Sequence, residues 1–177
     1  AAPCNGPAPV RAAAAVMRPP FGRLGGAGLE AWRRLGCAGV GAGALEMGLE
    51  ILTDWAESRV IKGKGQPFLN NPLVASVMAE VAEDLMVCRA LLSDGARRLA
   101  GEGGPLAVGV AWHRISGTVE RSLGRAMELM GSAGYAREWQ LERYWRDVRT
   151  LRGLLGSPTL FRMELAGEVF GSEGVLR

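Results

Sequence analysis

Hydrophobic side chains recur every three or four residues along most of this sequence, which is the spacing of one face of an α-helix. In the first predicted helix, about Leu29 to Val60, the apolar positions are Trp32, Leu35, Leu45, Leu49, Leu52 and Trp55. Glycines interrupt this helix at Gly36, Gly39, Gly41, Gly43 and Gly48. Since each costs about 1 kcal/mol against alanine inside a helix, they indicate either close approach of a neighbouring helix or a break near Gly36.

Four further helices are expected, and two of them have clear start signals. Their predicted ranges are 72–99, 105–130, 137–151 and 158–170. Asn71 and Ser157 precede the second and the fifth helix, and both residue types cap helix starts. Pro72 and Pro158 follow them and suit a first helical turn, where the missing N–H needs no partner. Glycine-bearing segments, KGKGQ, GEGG and GSAGY, occupy the connections at 62–66, 101–104 and 131–135.

Amphipathic helices joined by short loops have to bury their apolar faces against one another. The sequence therefore predicts an all-α, up-and-down helical bundle over residues 29–171. Residues 1–28 are predicted to be a flexible tail or linker, because they combine Ala, Pro and Gly with three arginines and no acidic residue. An organelle-targeting remnant fits less well, since such segments are usually rich in serine. Residues 172–177 are expected to form a C-terminal tail.

Size and composition fit one globular domain. Of 177 residues, 48% are hydrophobic and 22% are charged, so the chain can bury a substantial core.

The net charge is only +3, and nucleic-acid binding is not expected. Such binding would require six arginines to share one surface: Arg97, Arg98, Arg143, Arg146, Arg149 and Arg152. No apolar run approaches the roughly 20 residues of a membrane span, so no membrane association is expected.

The cysteines and the single histidine do not form a reactive site in the sequence. Cys4, Cys37 and Cys88 are odd in number and far apart, which favours buried thiols in a reducing compartment, either the cytoplasm or the mitochondrial matrix. His113 has neither cysteine nor carboxylate at ligand spacing, so it is interpreted as structural, and no metal site is expected. The glycines of GSAGY weakly resemble a phosphate-binding loop, but helix termination explains them more simply.

The order of these features is more informative than any one of them. A long helix ending near Arg59 precedes a Gly/Pro loop and a second long helix, and a third helix runs into AMELMGSAGY, then ERYWRDVR and a Gly-Ser turn. From about Leu29 to Phe170, this order resembles the C-terminal helical domain of the acyl-CoA dehydrogenase family. The passage GKGQPFLNNPLVASVMAE looks especially similar to the alkylation-response branch of that family.

The resemblance implies a flavoprotein that acts on acyl-CoA. In this family FAD lies between domains and subunits of a homotetramer or dimer, a glutamate removes the acyl-CoA α-proton, and the β-hydride passes to the flavin. The arginine that reaches the FAD pyrophosphate across a subunit contact corresponds to Arg59. The motif Gln-x-x-Gly-Gly-x-Gly, which holds the adenosine diphosphate part, corresponds to Glu128, Gly131, Ser132 and Gly134.

The Glu-Gly-Thr turn that carries the usual base of the family corresponds to Leu155, Gly156 and Ser157. Leu155 has no ionisable group and cannot take a proton, whereas Ser157 keeps the flavin-contacting hydroxyl. Some family members place the base on the first bundle helix, at a position that corresponds to Arg33, and arginine stays protonated. Glu30, about one turn earlier, is the alternative carboxylate. The resemblance therefore implies no catalytic residue at the usual position.

Two further departures affect the predicted diphosphate site. Glu128 puts a negative charge where the family has a neutral glutamine, which should weaken anion binding unless Arg59 or a neighbour compensates. Ser132 adds a Cβ where the backbone would need to approach a phosphate closely. With these departures, FAD contacts are predicted at Arg59, Glu128, Gly131, Ser132, Gly134 and Ser157.

Two functional hypotheses follow. In the first, the chain is the C-terminal helical module of an acyl-CoA dehydrogenase-like flavoprotein, contributing part of an FAD site and an oligomer interface without its own base. No alternating strand pattern predicts the β domain of the family, so acyl-CoA would bind only with other domains or a partner chain. In the second, the bundle is a non-enzymatic scaffold or assembly subunit derived from that family.

Overall fold

The computed structural model describes residues 26–100 and 104–171, which form a bundle of five α-helices. The helices are α1 (Gly26–Ser58), α2 (Pro72–Leu99), α3 (Gly104–Met130), α4 (Leu141–Leu154) and α5 (Pro158–Phe170). Two 3₁₀ turns, Phe68–Asn70 and Gly131–Tyr135, lie between helices. The described ranges contain no strand, and their β pairing is limited to an isolated antiparallel bridge between Val60 and Pro67. The all-α prediction is confirmed.

The two helix starts predicted from capping residues are confirmed. The Leu73 N–H donates a hydrogen bond to Asn71 Oδ1 at 3.0 Å, and the Thr159 N–H donates one to Ser157 Oγ at 3.2 Å. In each case a proline begins the helix. Each cap satisfies one N–H group that has no partner inside the helix, which stabilises the helix by about 1 kcal/mol.

Two helix starts differ from the predictions. α1 begins at Gly26, inside the predicted tail. The rest of that tail, residues 101–103 of the GEGG segment and the tail at 172–177 lie outside the described residues. α4 begins at Leu141 rather than near Arg137, because Gln140 is left-handed, with φ 58° and ψ 4°. A left-handed residue interrupts a right-handed helix, and no local sequence pattern signals it here.

α1 is continuous despite its glycines, so no break occurs near Gly36. The alternative prediction, close approach of a neighbouring helix, is confirmed at Gly48. A Cβ atom placed on Gly48 would lie 2.4 Å from Leu123 Cδ2 of α3 and 3.3 Å from Leu141 Cδ1 of α4. α3 can therefore lie this close to α1 only because position 48 has no side chain.

α3 is the central helix, with α1, α2 and α4 packed around it. Gly48 lies beside Leu123, and Gly95 of α2 lies beside both Leu35 and Ala111. These neighbours show that α1 and α3 run parallel and that α2 runs antiparallel to both. The most deeply buried large side chains are Leu45, Leu52, Val81, Cys88, Val108, Ile115, Val119, Leu123, Leu141 and Val148. The parallel pairing puts the C-terminal ends of α1 and α3 at the same end of the bundle.

α1 is more apolar than the sequence analysis indicated. Residues Gly28–Ser58 are long and apolar enough to cross a membrane by length and composition, with a mean hydropathy of 1.4 over an 18-residue window. The statement that no apolar run approaches a membrane span is therefore wrong for this helix. However, 44% of that window is buried in the bundle, where α1 packs against α2, α3 and α4. The core helix of a bundle passes the same test, and this packing is what the structure shows.

Candidate functional site

Arg59 and the Gly131–Gly134 bend lie at the same end of the bundle. Gly48 of α1 lies beside Leu123 of α3, and the two helices are parallel. Arg59 follows Gly48 by eleven residues, and Gly131 follows Leu123 by eight. At about 1.5 Å per helical residue, both stretches reach a similar height. We call this part of the molecule, defined by Arg59 and Gly131–Gly134, the Arg59 end.

Arg59 is fixed through both its main chain and its side chain. Its N–H donates a hydrogen bond to the Trp55 carbonyl at 3.2 Å, and its own carbonyl accepts one from the Phe68 N–H at 2.7 Å. The guanidinium carbon lies 5.5 Å from the centroid of the Trp55 ring. Arg59 is exposed, and it forms no ion pair within residues 26–100 and 104–171. Its charge is therefore available to an anionic ligand.

A short hairpin next to Arg59 adds two more cations. The Ile61 N–H donates to the Gln66 carbonyl at 2.8 Å, and the Lys64 N–H donates to the Ile61 carbonyl at 3.0 Å. Lys62 and Lys64 are exposed at its tip. The sequence predicted only a polar loop here. The alternation of lysine and glycine in KGKG was the signal for a basic turn.

The Gly131–Gly134 bend needs glycine at two of its positions. Gly131 has φ 61°, a left-handed conformation that favours glycine. A Cβ on Gly134 would lie 2.6 Å from the Met127 carbonyl oxygen, which leaves no room for a side chain. Ser132 is exposed, so its side chain is accommodated outside the packed part of the bend.

Glu128 lies on the last turn of α3, at the surface. Its carboxylate is 3.3 Å from Arg125 Nη1, and Arg125 Nε also lies 3.9 Å from Glu80 Oε2. The side chain of Glu128 is 66% exposed, so solvent weakens both ion pairs. The negative charge expected from the sequence is thus present at the Arg59 end, and Arg125 compensates it in part.

Leu155, which the resemblance places at the usual base position, lines a narrow crevice between α3 and the start of α5. The crevice is lined by Arg34, Trp112, His113, Ser116, Arg152, Leu155, Gly156, Ser157, Pro158 and Phe161. Its volume is about 10 Å³, enough for one water molecule at most. No carboxylate is among these described lining residues. The crevice therefore has cations and apolar groups, but no base, at this position.

The two residues at the alternative base positions, Glu30 and Arg33, form an ion pair with each other. Glu30 Oε2 lies 3.5 Å from Arg33 Nε, and Glu30 Oε1 lies 3.2 Å from Arg34 Nε. Arg33 is exposed, whereas Arg34 lines the crevice and lies over the Phe161 ring, 5.7 Å from its centroid. Glu30 thus contacts the crevice only through Arg34, so the structure does not place a free carboxylate there.

His113 packs as a neutral aromatic group in this crevice. Its ring centroid lies 5.4 Å from that of Phe161, with the planes tilted by 34°. Burial is the main cause that lowers the pKa of His113, and the positive charges of Arg162, Arg152 and Arg114 lower it further. An uncharged ring at neutral pH fits the structural role predicted for it.

The predicted site residues fall into two separate places. Leu155 and Ser157 line the same crevice as Ser116 of α3, whereas the Gly131–Gly134 bend follows Met130 at the end of that helix. Fourteen helical residues separate Ser116 from Met130, a rise of about 20 Å. Gly131, Ser132 and Gly134 thus lie at the same end of the bundle as Arg59, and Ser157 does not.

The arginines proposed as a nucleic-acid surface are all paired with carboxylates. The pairs are Arg97 and Arg98 with Asp94, Arg143 with Asp147, Arg146 with Glu142, and Arg149 and Arg152 with Glu120. Each pair offsets the positive charge that phosphate groups would require. Because the six arginines share four carboxylates, their charge is offset only in part, and the expectation that the chain does not bind nucleic acid stays a prediction.

Comparison with known proteins identifies the fold and the family. A family model for the C-terminal domain of acyl-CoA dehydrogenases matches residues 30–170. Glutaryl-CoA dehydrogenase of Desulfococcus multivorans is 27% identical over 141 residues, which cover 78% of this chain and 36% of that protein. The structure of butyryl-CoA dehydrogenase from Megasphaera elsdenii matches with a TM-score of 0.74 at 21% identity, covering 81% of this chain and 38% of the other.

A complex is also among the similar structures. The ChsE4–ChsE5 complex from Mycobacterium tuberculosis matches with a TM-score of 0.72 at 20% identity, covering 82% of this chain and 40% of the matched chain. The comparisons do not support a closer resemblance to the alkylation-response branch. The chain spans about a third of the curated relatives that it matches, 36% of one and 29% of another. It belongs to the acyl-CoA dehydrogenase family and corresponds to the C-terminal helical domain of that family.

Proposed function

We propose that this chain is the C-terminal helical module of an acyl-CoA dehydrogenase-like flavoprotein and that its Arg59 end binds the diphosphate of FAD. The main support is the exposed guanidinium of Arg59, which has no ion pair in the described residues and lies at the same end as Gly131–Gly134. Bound FAD would supply the hydride acceptor for oxidation of an acyl-CoA. The residues of this chain would hold its anionic part.

The chemistry of the Arg59 end fits a diphosphate. Arg59, Lys62 and Lys64 are exposed cations, and an arginine fork suits phosphate oxygens especially well. At Gly131 a Cβ would meet nothing within 4 Å, so the bend is open there and an anion could approach its backbone. Glu128 opposes anion binding, but its pairing with Arg125 reduces that effect.

The separation of the two groups of site residues supports an oligomer. The crevice at Leu155 lies about 20 Å along α3 from the Arg59 end, so each would serve a different FAD molecule. One cofactor would then contact Arg59 of one subunit and Ser157 of another. The missing parts of the site, including any β domain, would come from the rest of a longer protein or from a partner chain.

The module would not carry the base for acyl-CoA oxidation. Leu155 has no proton acceptor, and the nearest alternative, Glu30, is held by Arg33 and Arg34. A carboxylate supplied by another chain would have to reach a crevice that Leu155 and Phe161 line and whose volume is only about 10 Å³. The free thiols of Cys37 and Cys88 favour a reducing compartment, the cytoplasm or the mitochondrial matrix.

The test is FAD binding by the full chain, measured by fluorescence anisotropy of the flavin. We expect Arg59→Gln to weaken binding at least tenfold, because a charge-assisted contact to phosphate is worth about 1.5–3 kcal/mol. The FAD affinity of Arg59→Lys should lie between those of wild type and Arg59→Gln, because lysine keeps the positive charge but lacks the planar fork of nitrogen donors. ADP should compete with FAD, and riboflavin, which has no diphosphate, should not. Equal affinities of wild type and Arg59→Gln would refute the proposal.

The lack of a carboxylate among the described residues that line the crevice favours one alternative, a non-enzymatic scaffold derived from the same family. In that case the bundle would assemble with itself or with a partner without contacting FAD. Assembly that is unaffected by FAD, together with a colourless complex, would support the scaffold over the flavin-binding module.

A further inference from the structure

We infer that Trp55 is a positioning residue for Arg59 and holds its guanidinium against the face of the indole ring. The inference rests on the proposed function, since it concerns how Arg59 meets the diphosphate. Trp55 lies in the last turn of α1, four residues before Arg59. The Arg59 Cζ atom lies 5.5 Å from the centroid of the Trp55 ring, within the range of a cation–π contact.

The Trp55 ring is held in one orientation. Only 3% of the residue is exposed, and Phe68 packs edge-on against it, with 5.4 Å between centroids and 90° between planes. The Phe68 N–H also donates to the Arg59 carbonyl at 2.7 Å. Phe68 therefore fixes both the main chain of Arg59 and the ring that lies against its side chain.

The indole N–H of Trp55 shows that packing alone does not explain a tryptophan here. Its Nε1 atom is buried and has no hydrogen-bond partner in the described part of the chain, although buried donors are normally paired. Leaving the donor unpaired costs free energy that phenylalanine or leucine would avoid. What tryptophan adds is the aromatic face that attracts a cation most strongly. We attribute its presence to the contact with Arg59.

The contact with Trp55 positions Arg59 for a ligand, although Trp55 itself does not touch the ligand. A free arginine side chain loses much rotamer freedom when it is fixed, and that loss weakens binding. Against the Trp55 ring, part of this freedom is already lost before an anion arrives. The Trp55 Nε1 atom is covered by protein, so it cannot contact the ligand. Trp55 can therefore affect binding only through Arg59.

The test compares the full chain with Trp55→Phe and Trp55→Leu, measuring FAD affinity by anisotropy and stability by urea unfolding. Trp55→Phe keeps a weaker aromatic face and removes the unpaired N–H. We therefore expect FAD binding about two- to threefold weaker, and also a lower unfolding midpoint, because the smaller ring leaves a cavity at a buried position. Trp55→Leu removes the aromatic face, and binding should weaken about fivefold. Because both variants also lose core packing, the FAD affinities measured with and without Arg59, rather than stability, separate the contact with Arg59 from a purely structural role.

A double-mutant cycle tests whether Trp55 acts through Arg59. In an Arg59→Gln background, Trp55→Phe should leave the FAD affinity unchanged. The inference is overturned if Trp55→Phe binds FAD as tightly as wild type, or if it weakens binding equally in both backgrounds. If Arg59→Gln still binds FAD more weakly than wild type, either of these results leaves the proposed function intact. Absence of FAD binding by the wild-type chain would overturn the proposed function and this inference with it.

Discussion

Charge pairing distinguishes the arginines that hold helices of this bundle together from Arg59, which has no carboxylate partner in the described residues. Arg149 and Arg152 of α4 both contact Glu120 of α3, so their charge helps to hold the two helices together. Arg59 contacts the ring of Trp55 instead. Composition treats these arginines alike, because which of them meets a carboxylate depends on contacts between helices. A basic pI is therefore a poor guide to binding in this chain.

Cys88 should be unreactive while the protein is folded. Its thiol is fully buried, and burial, followed by the negative charge of Asp84, raises the pKa of Cys88 to about 11. Since the thiolate is the reactive form, a thiol reagent near about pH 8 should modify Cys88 only after unfolding. Spectrophotometric thiol titration checks this. Cys88→Ala should remove one thiol from the count in denaturant and none from the native count, and a lower native count would contradict the expectation.

At the scale of elements, local signals were predictable and packing-dependent features were not. The caps at Asn71 and Ser157 depend on neighbours two residues away, so the sequence contains the whole signal. The start of α4 depends on the left-handed conformation of Gln140, which no residue preference favours. Trp55 was correctly predicted as a core position, but its contact with Arg59 requires the Phe68 turn to fold back onto α1.

Two glycines of α1 should respond oppositely to the same substitution. A Cβ on Gly48 would lie 2.4 Å from Leu123 Cδ2, whereas a Cβ on Gly43 would meet nothing within 4 Å. Gly48→Ala should therefore lower the free energy of unfolding by about 1–3 kcal/mol, because it overpacks the core. Gly43→Ala should raise it by up to about 1 kcal/mol, because alanine favours a helix. Urea denaturation measures both, and equal shifts would contradict the close packing of α1 and α3.

At the scale of the whole molecule, the fold was predictable but the site only in part. The five-helix pattern and the order of motifs were enough to indicate the bundle and the family. That Leu155 stands at the base position of the family stays a prediction from the resemblance. What the sequence did not show is that Leu155 and Phe161 line the same small crevice, or that Arg59 and Gly131 share an end. Both depend on the direction in which the helices pack.

Cofactor binding should promote assembly if FAD bridges two subunits. FAD would contact Arg59 of one subunit and the crevice at Leu155 of another. Added FAD should therefore increase the assembled fraction by mass action. Sedimentation velocity at several protein concentrations measures this. Arg59→Gln should abolish the FAD-dependent increase. Arg146→Gln is the matched control, because Arg146 is exposed and paired with Glu142 at 3.1 Å, and it should behave like wild type.

The parallel pairing of α1 and α3 also has a consequence for biosynthesis. Gly48 and Leu123, which meet in the core, are 75 positions apart in the sequence. The long apolar helix α1 is therefore translated before α3, its main partner, which leaves the ribosome much later. Contacts across such a distance form slowly, and an uncovered apolar helix in a nascent chain is prone to aggregate. We expect a chaperone or a domain made earlier to shield α1 until α3 has been synthesised.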